Sequence, residues 1–296
     1  MKKILLFLLF SLLPLGSLQA KIIMQKHNGS ITVLSATTQE TEDLFKQYDY
    51  EDYSKTEAQI PRIYLTKLPT DWADVPDSHD KHRTFIRIML PLVLKVNEAI
   101  LAEREPLEEI QKRIKDGKQT TDADLALLEK YAEKYDVFVR DKSPVRPKLL
   151  LQQLLEKVDQ LPPSIMVVSA GIYSNWGTSR LALQANDLYL AEVWYEDQGM
   201  KPLDDPDAQY RYKIYANLEE CVADKALKIN SHINYDYVRA ARKMSRAMKY
   251  PPYSPQIVSH MMHDSNLQNI AGLIDFTFSY YKMVKTDFRP SLRNVY

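Results

Sequence analysis

Apolar side chains recur every three or four residues along most of the chain beyond residue 80, which is the spacing of one helix face. The longest such stretch runs from Phe85 to Gly117. Pro91 predicts a kink in this helix, and Pro106 predicts a break before a second piece that ends at Gly117. The same periodicity predicts further helices over residues 122–135, 148–158, 163–177, 179–188, 217–232, 236–248 and 267–284.

The first 80 residues carry little helical periodicity. Ile31–Thr37 predicts a short strand, and Ile60–Pro76 predicts an extended segment punctuated by prolines. The acidic, tyrosine-rich residues 39–54 are expected to be exposed or draped on the surface. Farther along, the alternation at Tyr210–Ile214, after a cluster of acidic residues, predicts a small hairpin or loop lobe.

The other segments are organised around residues 162–188. Pro163 suits the first turn of a helix, where its missing N–H costs nothing, and Gly177 suits the end of that helix. Thr178 or Ser179 can cap the helix that follows. The two helices therefore meet at a corner where a tryptophan and several polar groups can line a cleft. The corner residues are Tyr173, Ser174, Asn175 and Trp176.

The corner sequence, SNWGTSRLALQANDLY, resembles the signature of the Bax-type glucosaminidases, bacterial cell-wall hydrolases with a lysozyme-like fold. In that family the helix ends in alanine–hydrophobic–glutamate–serine–small–tryptophan–glycine–threonine–serine–arginine, and asparagine–asparagine–leucine–phenylalanine–glycine follows. The matching residues are Ser174, Trp176, Gly177, Thr178, Ser179, Arg180, Asn186 and Leu188. Residues 60–72 and 85–105 also resemble segments that precede the family's catalytic domain, so the resemblance covers most of the chain from about Pro61.

The resemblance implies a catalytic glutamate three residues before the tryptophan, where this chain has Tyr173. Glycosidases need an acid that protonates the leaving oxygen, and tyrosine has a reference pKa near 10, against about 4.3 for glutamate. General acid catalysis is worth about 10²–10⁴-fold, so we expect most of that factor to be lost. We interpret Tyr173 as a degenerate catalytic position that holds a packed or sugar-stacking tyrosine. A tyrosine nucleophile, known in some glycosidases, is the alternative.

Other carboxylates could supply the missing acid. Asp187 is close to the corner, and Glu192, Asp197 and Asp204 lie in the segments that follow it. Each of them alone is expected to be a solvated loop charge, so surviving hydrolase activity is an alternative to its loss.

Trp176 offers a flat ring on which a sugar could stack, although a core tryptophan at a helix corner is an equal alternative. Tyr189 could widen such a platform. Asn186 and His232 are expected to be structural. The predicted substrate-binding residues are Trp176, Asn175, Ser174, Arg180, Trp194 and Tyr195.

The chain has 39 basic and 39 acidic residues, and this balance argues against a nucleic-acid partner. Residues 1–20 combine two lysines, a leucine-rich run and Ala20, which is typical of a secretory signal peptide; an uncleaved anchor is the alternative. No membrane span is expected after cleavage. Cys221 is the only cysteine, so no internal disulfide is expected, and a small buried side chain is its simplest role.

One group of residues has metal-like spacing: His260, His263 and Asp264 would share a helix face. A surface histidine pair is the preferred interpretation, because further ligands and the glutamate of the H-E-x-x-H motif are missing. The sequence therefore predicts no metal and no cofactor.

Together these features predict a mainly α, lysozyme-like α+β glucosaminidase domain over residues 161–290. A signal peptide (1–20), an extended, irregular segment (21–80) and a helical region (81–160) precede it. We expect a periplasmic or secreted protein that engages peptidoglycan glycan strands, with weakened or absent cleavage of the β-1,4 bond after N-acetylglucosamine. The alternatives are a glycan-binding or scaffolding module that also contacts other envelope proteins, and a structural protein that keeps only the fold.

Overall fold

A computed structural model describes residues 22–55, 57–194, 199–205, 207–247, 281 and 291–296. These ranges are mainly helical, with short strands, which confirms the predicted mainly α, α+β class. The helices are α1 (Thr38–Gln47), α2 (His79–Lys115), α3 (Asp122–Lys134), α4 (Arg146–Lys157), α5 (Pro163–Tyr173), α6 (Arg180–Ala185), α7 (Leu218–Ser231) and α8 (Asp236–Ala247). The strands are β1 (Ile23–His27), β2 (Ser30–Ser35), β3 (Gln59–Pro61), β4 (Ile63–Leu65), β5 (Glu192–Val193), β6 (Arg211–Tyr212) and β7 (Ser291–Arg293).

The strands form three small sheets within the described residues. In the first, β2 lies between β1, to which it is antiparallel, and β4, to which it is parallel, with Ile31 opposite Ile63. In the second, β3 pairs with β7, so residues near the C-terminus complete a sheet begun before α2. In the third, β5 and β6 form an antiparallel pair. The strand predicted near Ile31 and the predicted hairpin lobe are both confirmed.

The prediction that residues 39–54 are exposed is wrong. Helix α1 occupies much of this stretch, and a capping box between Thr37 and Glu40 starts it. Its buried side chains include Leu44 and Phe45, and the tyrosines that follow it are buried as well. The acidic residues on the outer side of the helix suggested an exposed segment, although the other face of the helix packs inward.

Helix α2 is the longest element, with 37 residues, and it passes through both prolines. The predicted break at Pro106 is therefore wrong. Pro106 removes the hydrogen bond to the carbonyl of Ala102, but Ala102 is exposed, so water can reach that carbonyl. Leu107 and Ile110, just beyond the proline, are buried and hold the helix on the core.

Helices α4, α5 and α7 all pack against α2, and α8 packs against α4. Asn97 ties α2 to the segment before α5: its amide donates to the carbonyl of Leu161 at 2.8 Å and accepts from the Leu161 N–H at 2.9 Å. Both residues are almost fully buried. The start of α5 is therefore fixed to the middle of α2 by a reciprocal pair of hydrogen bonds.

The other predicted helices that fall on described residues are present. Thr121 and Asp124 form a capping box at the start of α3, and Asn217 caps α7. Apart from Tyr281, the predicted helix over residues 267–284 lies outside the described residues, and the domain limits remain predictions. In the described part of the chain, no helix combines the length and apolar character needed to span a membrane.

Replacing Asn97 by alanine removes the hydrogen-bond partners of the Leu161 N–H and C=O groups. We expect a loss of about 2–4 kcal/mol in the free energy of unfolding, because a buried N–H and C=O are left unpaired. Urea denaturation measures the loss, with an unchanged slope as the sign that only stability changed. Gln153→Ala, on the exposed side of α4, is the control. A loss equal to that of the control would show that the pair carries no stability.

Candidate functional site

Helix α5 ends at Tyr173, one turn earlier than the predicted end at Gly177. The reason is Ser174, whose hydroxyl donates to the carbonyl of Ala170 at 2.6 Å and accepts from the Gly177 N–H at 2.8 Å. The backbone then takes three successive positive φ angles, 50° at Asn175, 53° at Trp176 and 81° at Gly177. This conformation is uncommon for residues other than glycine, so the corner depends on the contacts around it.

Those contacts surround Gly177. A Cβ atom at this position would lie 2.7 Å from Leu68, 2.8 Å from Trp72 and 3.1 Å from Phe85. The indole N–H of Trp72 donates to the carbonyl of Trp176 at 2.9 Å. The corner is therefore packed tightly against α2 and the segment before it, and glycine is needed both for the backbone angle and for the space.

Helix α6 begins with Ser179, which is one of the two caps predicted, and its hydroxyl accepts from the Ala182 N–H. The helix ends at Asn186 in the left-handed conformation. The Asn186 amide donates to the carbonyl of Tyr215 at 2.9 Å, so its predicted structural role is confirmed.

The ring of Trp176 is covered on both faces. His82 stacks on it with 4.0 Å between ring centroids and 13° between planes. A Cβ on Gly171 would lie 2.9, 2.9 and 3.2 Å from three consecutive atoms of the six-membered ring, which places it over the ring. Those three are its nearest neighbours, so His82 must lie on the opposite face. Phe85 and Tyr281 pack around the same ring at centroid distances of 5.7 and 5.4 Å.

The four aromatic side chains His82, Phe85, Trp176 and Tyr281 form what we call the aromatic stack. Because Gly171 and His82 occupy the two faces of Trp176, a sugar could stack there only after His82 moves. The substrate-stacking role of Trp176 therefore stays a prediction that requires this movement.

Tyr173, which the motif resemblance aligns with a glutamate, is half-buried and faces a cation. The ammonium nitrogen of Lys225, on α7, lies 5.9 Å from the ring centroid of Tyr173, 5.7 Å from that of Tyr189 and 5.6 Å from that of Tyr235. It also lies 3.3 Å from the hydroxyl of Tyr235. Cations within about 6 Å of an aromatic face are attracted by the ring quadrupole. We call these four residues the tyrosine cage.

The charge in the tyrosine cage opposes the chemistry of a glycosidase acid. A general acid of this class needs a raised pKa, which burial or a neighbouring negative charge provides. A neighbouring ammonium does the reverse, because it stabilises the ionised form of an acid. Lys225 thus makes this position suited to an anion rather than to a protonated carboxyl.

Asp187, a candidate replacement acid, is fully buried. Its two carboxylate oxygens accept hydrogen bonds from the backbone N–H groups of Tyr189 and Ala191, both at 2.9 Å. Burial raises its pKa, and those backbone hydrogen bonds oppose the rise. The carboxylate is engaged in shaping the turn after α6, and it does not reach solvent. Tyr189 is also buried and donates to the carbonyl of Met166, so the expectation that it widens a platform is wrong.

The other candidate acids lie in the β5–β6 lobe. Glu192, on β5, and Asp204, in the connection to β6, are exposed. Asp197 and Tyr195 lie outside the described residues. The catalytic roles of Glu192, Asp197 and Asp204 stay predictions.

Of the predicted contact residues, Arg180 links the corner to the lobe, and Trp194 lies in the lobe. The guanidinium of Arg180 donates to the carbonyl of Lys201 at 2.6 Å, which ties α6 to the lobe. Trp194 is 67% exposed, and its ring centroid lies 5.9 Å from that of Tyr210. Arg180 therefore fixes the lobe to the corner, and Trp194 offers an aromatic face beside it. Their substrate contacts stay predictions.

Sequence reasoning missed Lys225, Tyr235 and His82. Lys225 lies on the same face of α7 as the buried Cys221 and Val222, four and three residues earlier, so helical spacing could have indicated that it points inward. His82 carried no such signal, because its stacking partner lies more than 90 residues away.

Both ring nitrogens of His82 are engaged. Nε2 lies 2.6 Å from the Asp77 carboxylate, and Nδ1 lies 2.6 Å from the hydroxyl of Tyr281. Burial lowers the pKa of His82, against an opposing effect of the hydrogen bond to Asp77. The imidazole that covers Trp176 is therefore held in its neutral form more strongly than a free histidine.

Among the described residues, no group of three or more histidine, cysteine, aspartate or glutamate side chains is placed to hold a metal ion. The predicted surface pair His260 and His263, with Asp264, lies outside those residues.

The fold and the corner define a mainly α protein whose two central helices meet at a tryptophan-bearing turn. The chain is similar to Protein bax of Escherichia coli (strain K12): the two are 29% identical over 201 residues, 66% of this chain and 65% of that protein. This likeness supports a Bax-like relationship, and the chain's match spans slightly less than two thirds of its relative. No profile of a known protein family matches the chain. No solved structure matches it.

We expect Gly171→Ala to destabilise the corner. The added methyl group would overlap the ring of Trp176, which His82 holds from the other side, so the overpacking should cost about 1–3 kcal/mol. Urea denaturation gives the loss, and tryptophan fluorescence reports the displaced ring. Ser169→Ala, two residues earlier on α5, is the matched control. Full stability of Gly171→Ala would show that Trp176 is not held between these two groups.

The lowered pKa of His82 predicts a pH dependence of stability. Between the folded-state pKa and the unfolded value of about 6.5, the unfolded chain binds more protons, so stability falls as the pH drops through that window. We expect the free energy of unfolding to decline less between pH 7.5 and 5.5 in His82→Asn than in wild type. The exposed His27→Asn is the control. Equal slopes in all three proteins would contradict the burial of a neutral His82.

Proposed function

We propose that this protein engages glycan strands of the bacterial cell envelope at the α5–α6 corner, as a lysozyme-like protein of Bax type that lacks a working general acid. The likeness to Protein bax and the corner motif support the glycan class. The predicted signal peptide supports an exported, periplasmic or secreted location. The protein is thus proposed to bind peptidoglycan and to have weakened or no hydrolase activity.

The observation that carries the proposal is the tyrosine cage. A phenol stands where the family has a carboxyl group, and the Lys225 ammonium lies 5.9 Å from its ring. Neither group donates a proton readily near neutral pH, because their reference pKa values are about 10. Both can hydrogen-bond to sugar hydroxyls or to carboxylates of a glycan strand, and an aromatic ring can pack on a sugar face.

A hydrolase with a relocated acid is the second candidate. The hydrogen bond from Arg180 to the carbonyl of Lys201 favours it, because it holds the lobe that carries Glu192 and Asp204 against the corner. Either carboxylate would have to reach a glycosidic oxygen bound near Tyr173.

The proposal is tested by incubating the mature protein with purified peptidoglycan sacculi. We expect wild type to sediment with the sacculi and to release no soluble fragments detectable by mass spectrometry. Trp194→Ala should sediment less, and Phe138→Ala, which alters another exposed aromatic residue in the segment after α3, should sediment normally. Failure of wild type to sediment would contradict glycan engagement, and fragments from wild type that vanish in Glu192→Gln or Asp204→Asn would establish the second candidate.

The tyrosine cage also makes a prediction about restoring activity. Tyr173→Glu alone should stay inactive, since the Lys225 ammonium would lower the pKa of the new carboxyl. Tyr173→Glu combined with Lys225→Met should release at least about 10²-fold more fragments than wild type, the lower range for general acid catalysis.

Tyr173→Gln with Lys225→Met is the matched control, because it has the same shape without the acid. Equal release by this control and the glutamate double variant would contradict the role assigned to Lys225. High activity of Tyr173→Glu alone would contradict it as well.

A further inference from the structure

A second candidate site lies between α2, α4 and α8, and it shares no lining residue with the corner. It is a cavity of about 440 Å³, within the usual size range of small-molecule sites. Seven basic side chains and two carboxylates line it. The basic residues are Arg104, Lys115, Lys148, Arg239, Arg242, Lys243 and Arg246, and the carboxylates are Glu156 and Asp159.

The two carboxylates are already paired. Asp159 is almost fully buried, and its carboxylate accepts hydrogen bonds from Nε and Nη2 of Arg246. Its Oδ2 atom also lies 3.9 Å from Nη1 of Arg104. Glu156 pairs with Lys243. Outside the lining, Glu108 pairs with Arg104, and Asp236 pairs with Arg239. Among the described residues, Lys115, Lys148 and Arg242 have no carboxylate in an ion pair with them, so positive charge remains in excess around the cavity.

Arg242 is the most buried of these cations, with 1% of its surface exposed. Its guanidinium donates to the backbone carbonyls of Glu156, Asp159 and Gln160 and to the side-chain oxygen of Asn230, and none of these acceptors is charged. Among the described residues no carboxylate lies within ion-pair distance, and the buried Nε has no partner. Burial lowers the pKa of Arg242 to about 10. The Asp159 carboxylate opposes this shift, but its ion pairs are with Arg246 and Arg104. A buried cation without an ion pair of its own is costly, so a further anion nearby would stabilise it.

The rim of the cavity carries two exposed lysines, and part of its wall is apolar. Lys115 and Lys148 are exposed at the rim, and no carboxylate within the described residues pairs with either. The apolar part of the lining is formed by Ile114, Leu151 and Leu155. The cavity therefore combines unbalanced positive charge with an apolar wall.

We propose that this basic cavity binds a small amphipathic oxyanion, a phosphate or carboxylate group attached to an apolar body. The oxyanion lies between the rim lysines and above the buried charge of Arg242, and the apolar body packs on Ile114, Leu151 and Leu155. This site is independent of the glycan function proposed for the corner. A purely structural role for Arg242, tying α8 to the segment between α4 and α5, is the competing explanation.

The test is isothermal titration of the full chain with four probes: phenyl phosphate, benzoate, inorganic phosphate and phenol. We expect saturable binding of phenyl phosphate or benzoate, weaker binding of inorganic phosphate and none of phenol. The tighter of the two aromatic anions identifies the group that the cavity prefers. Added salt should weaken the binding, because the rim charges are exposed.

Two neighbouring glutamines on α4 supply a matched pair of variants. Gln152 lines the cavity, whereas the exposed Gln153 does not. Gln152→Glu adds a negative charge at the rim and removes none of the contacts that hold the fold, so it should weaken anion binding by about five- to tenfold. Gln153→Glu should change it by less than about twofold. Lys148→Met should weaken binding in the same way as Gln152→Glu.

Three results would overturn the proposal: no saturable binding of either aromatic anion, equal binding of phenol, or equal effects of Gln152→Glu and Gln153→Glu. Each would leave Arg242 as a structural cation only.

Discussion

The burial of α2 around its whole circumference between residues 84 and 94 is the constraint on which the rest of the structure depends. Residues 84–94 are buried without interruption, and such a helix must be covered by other elements around its whole circumference. Helices α4, α5 and α7 and strand β4 supply this cover. Hydrogen bonds from Asn97 fix the start of α5 on α2. The side chain of Phe85 limits how closely Gly177 can approach α2. The corner therefore takes its shape from α2.

This arrangement makes the shape of the corner independent of the side chain at residue 173. The turn is held by Ser174, by the indole of Trp72 and by the close packing of Gly177, and none of these contacts involves the side chain of residue 173. The ring of that side chain instead lies near the Lys225 ammonium, which is also close to the rings of Tyr189 and Tyr235. The same backbone can thus present a carboxyl or a phenol, and the neighbouring cation decides which ionisation state is favoured.

Local signals in the sequence were sufficient for most of the helices. Apolar side chains at three- and four-residue spacing located these helices, and Pro163 indicated the start of α5. The helix break predicted at Pro106 and the exposure predicted for the acidic stretch around α1 were wrong, because tertiary packing outweighed the local preference in both places. Pairings over long distances carried no local signal: Lys225 meets Tyr173 from another helix, and His82 covers Trp176 across more than 90 residues. The motif therefore located the corner, but its chemistry depended on the three-dimensional structure.

The most direct test of this account is a crystal structure of the wild-type protein with a soluble oligomer containing N-acetylglucosamine. The account predicts an intact oligomer at the corner, with a glycosidic oxygen near Tyr173 and Lys225. No carboxylate should lie within hydrogen-bond distance of that oxygen, about 2.6–3.2 Å. A cleaved product in the crystal, or a carboxylate of the β5–β6 lobe within that distance, would contradict the loss of the general acid.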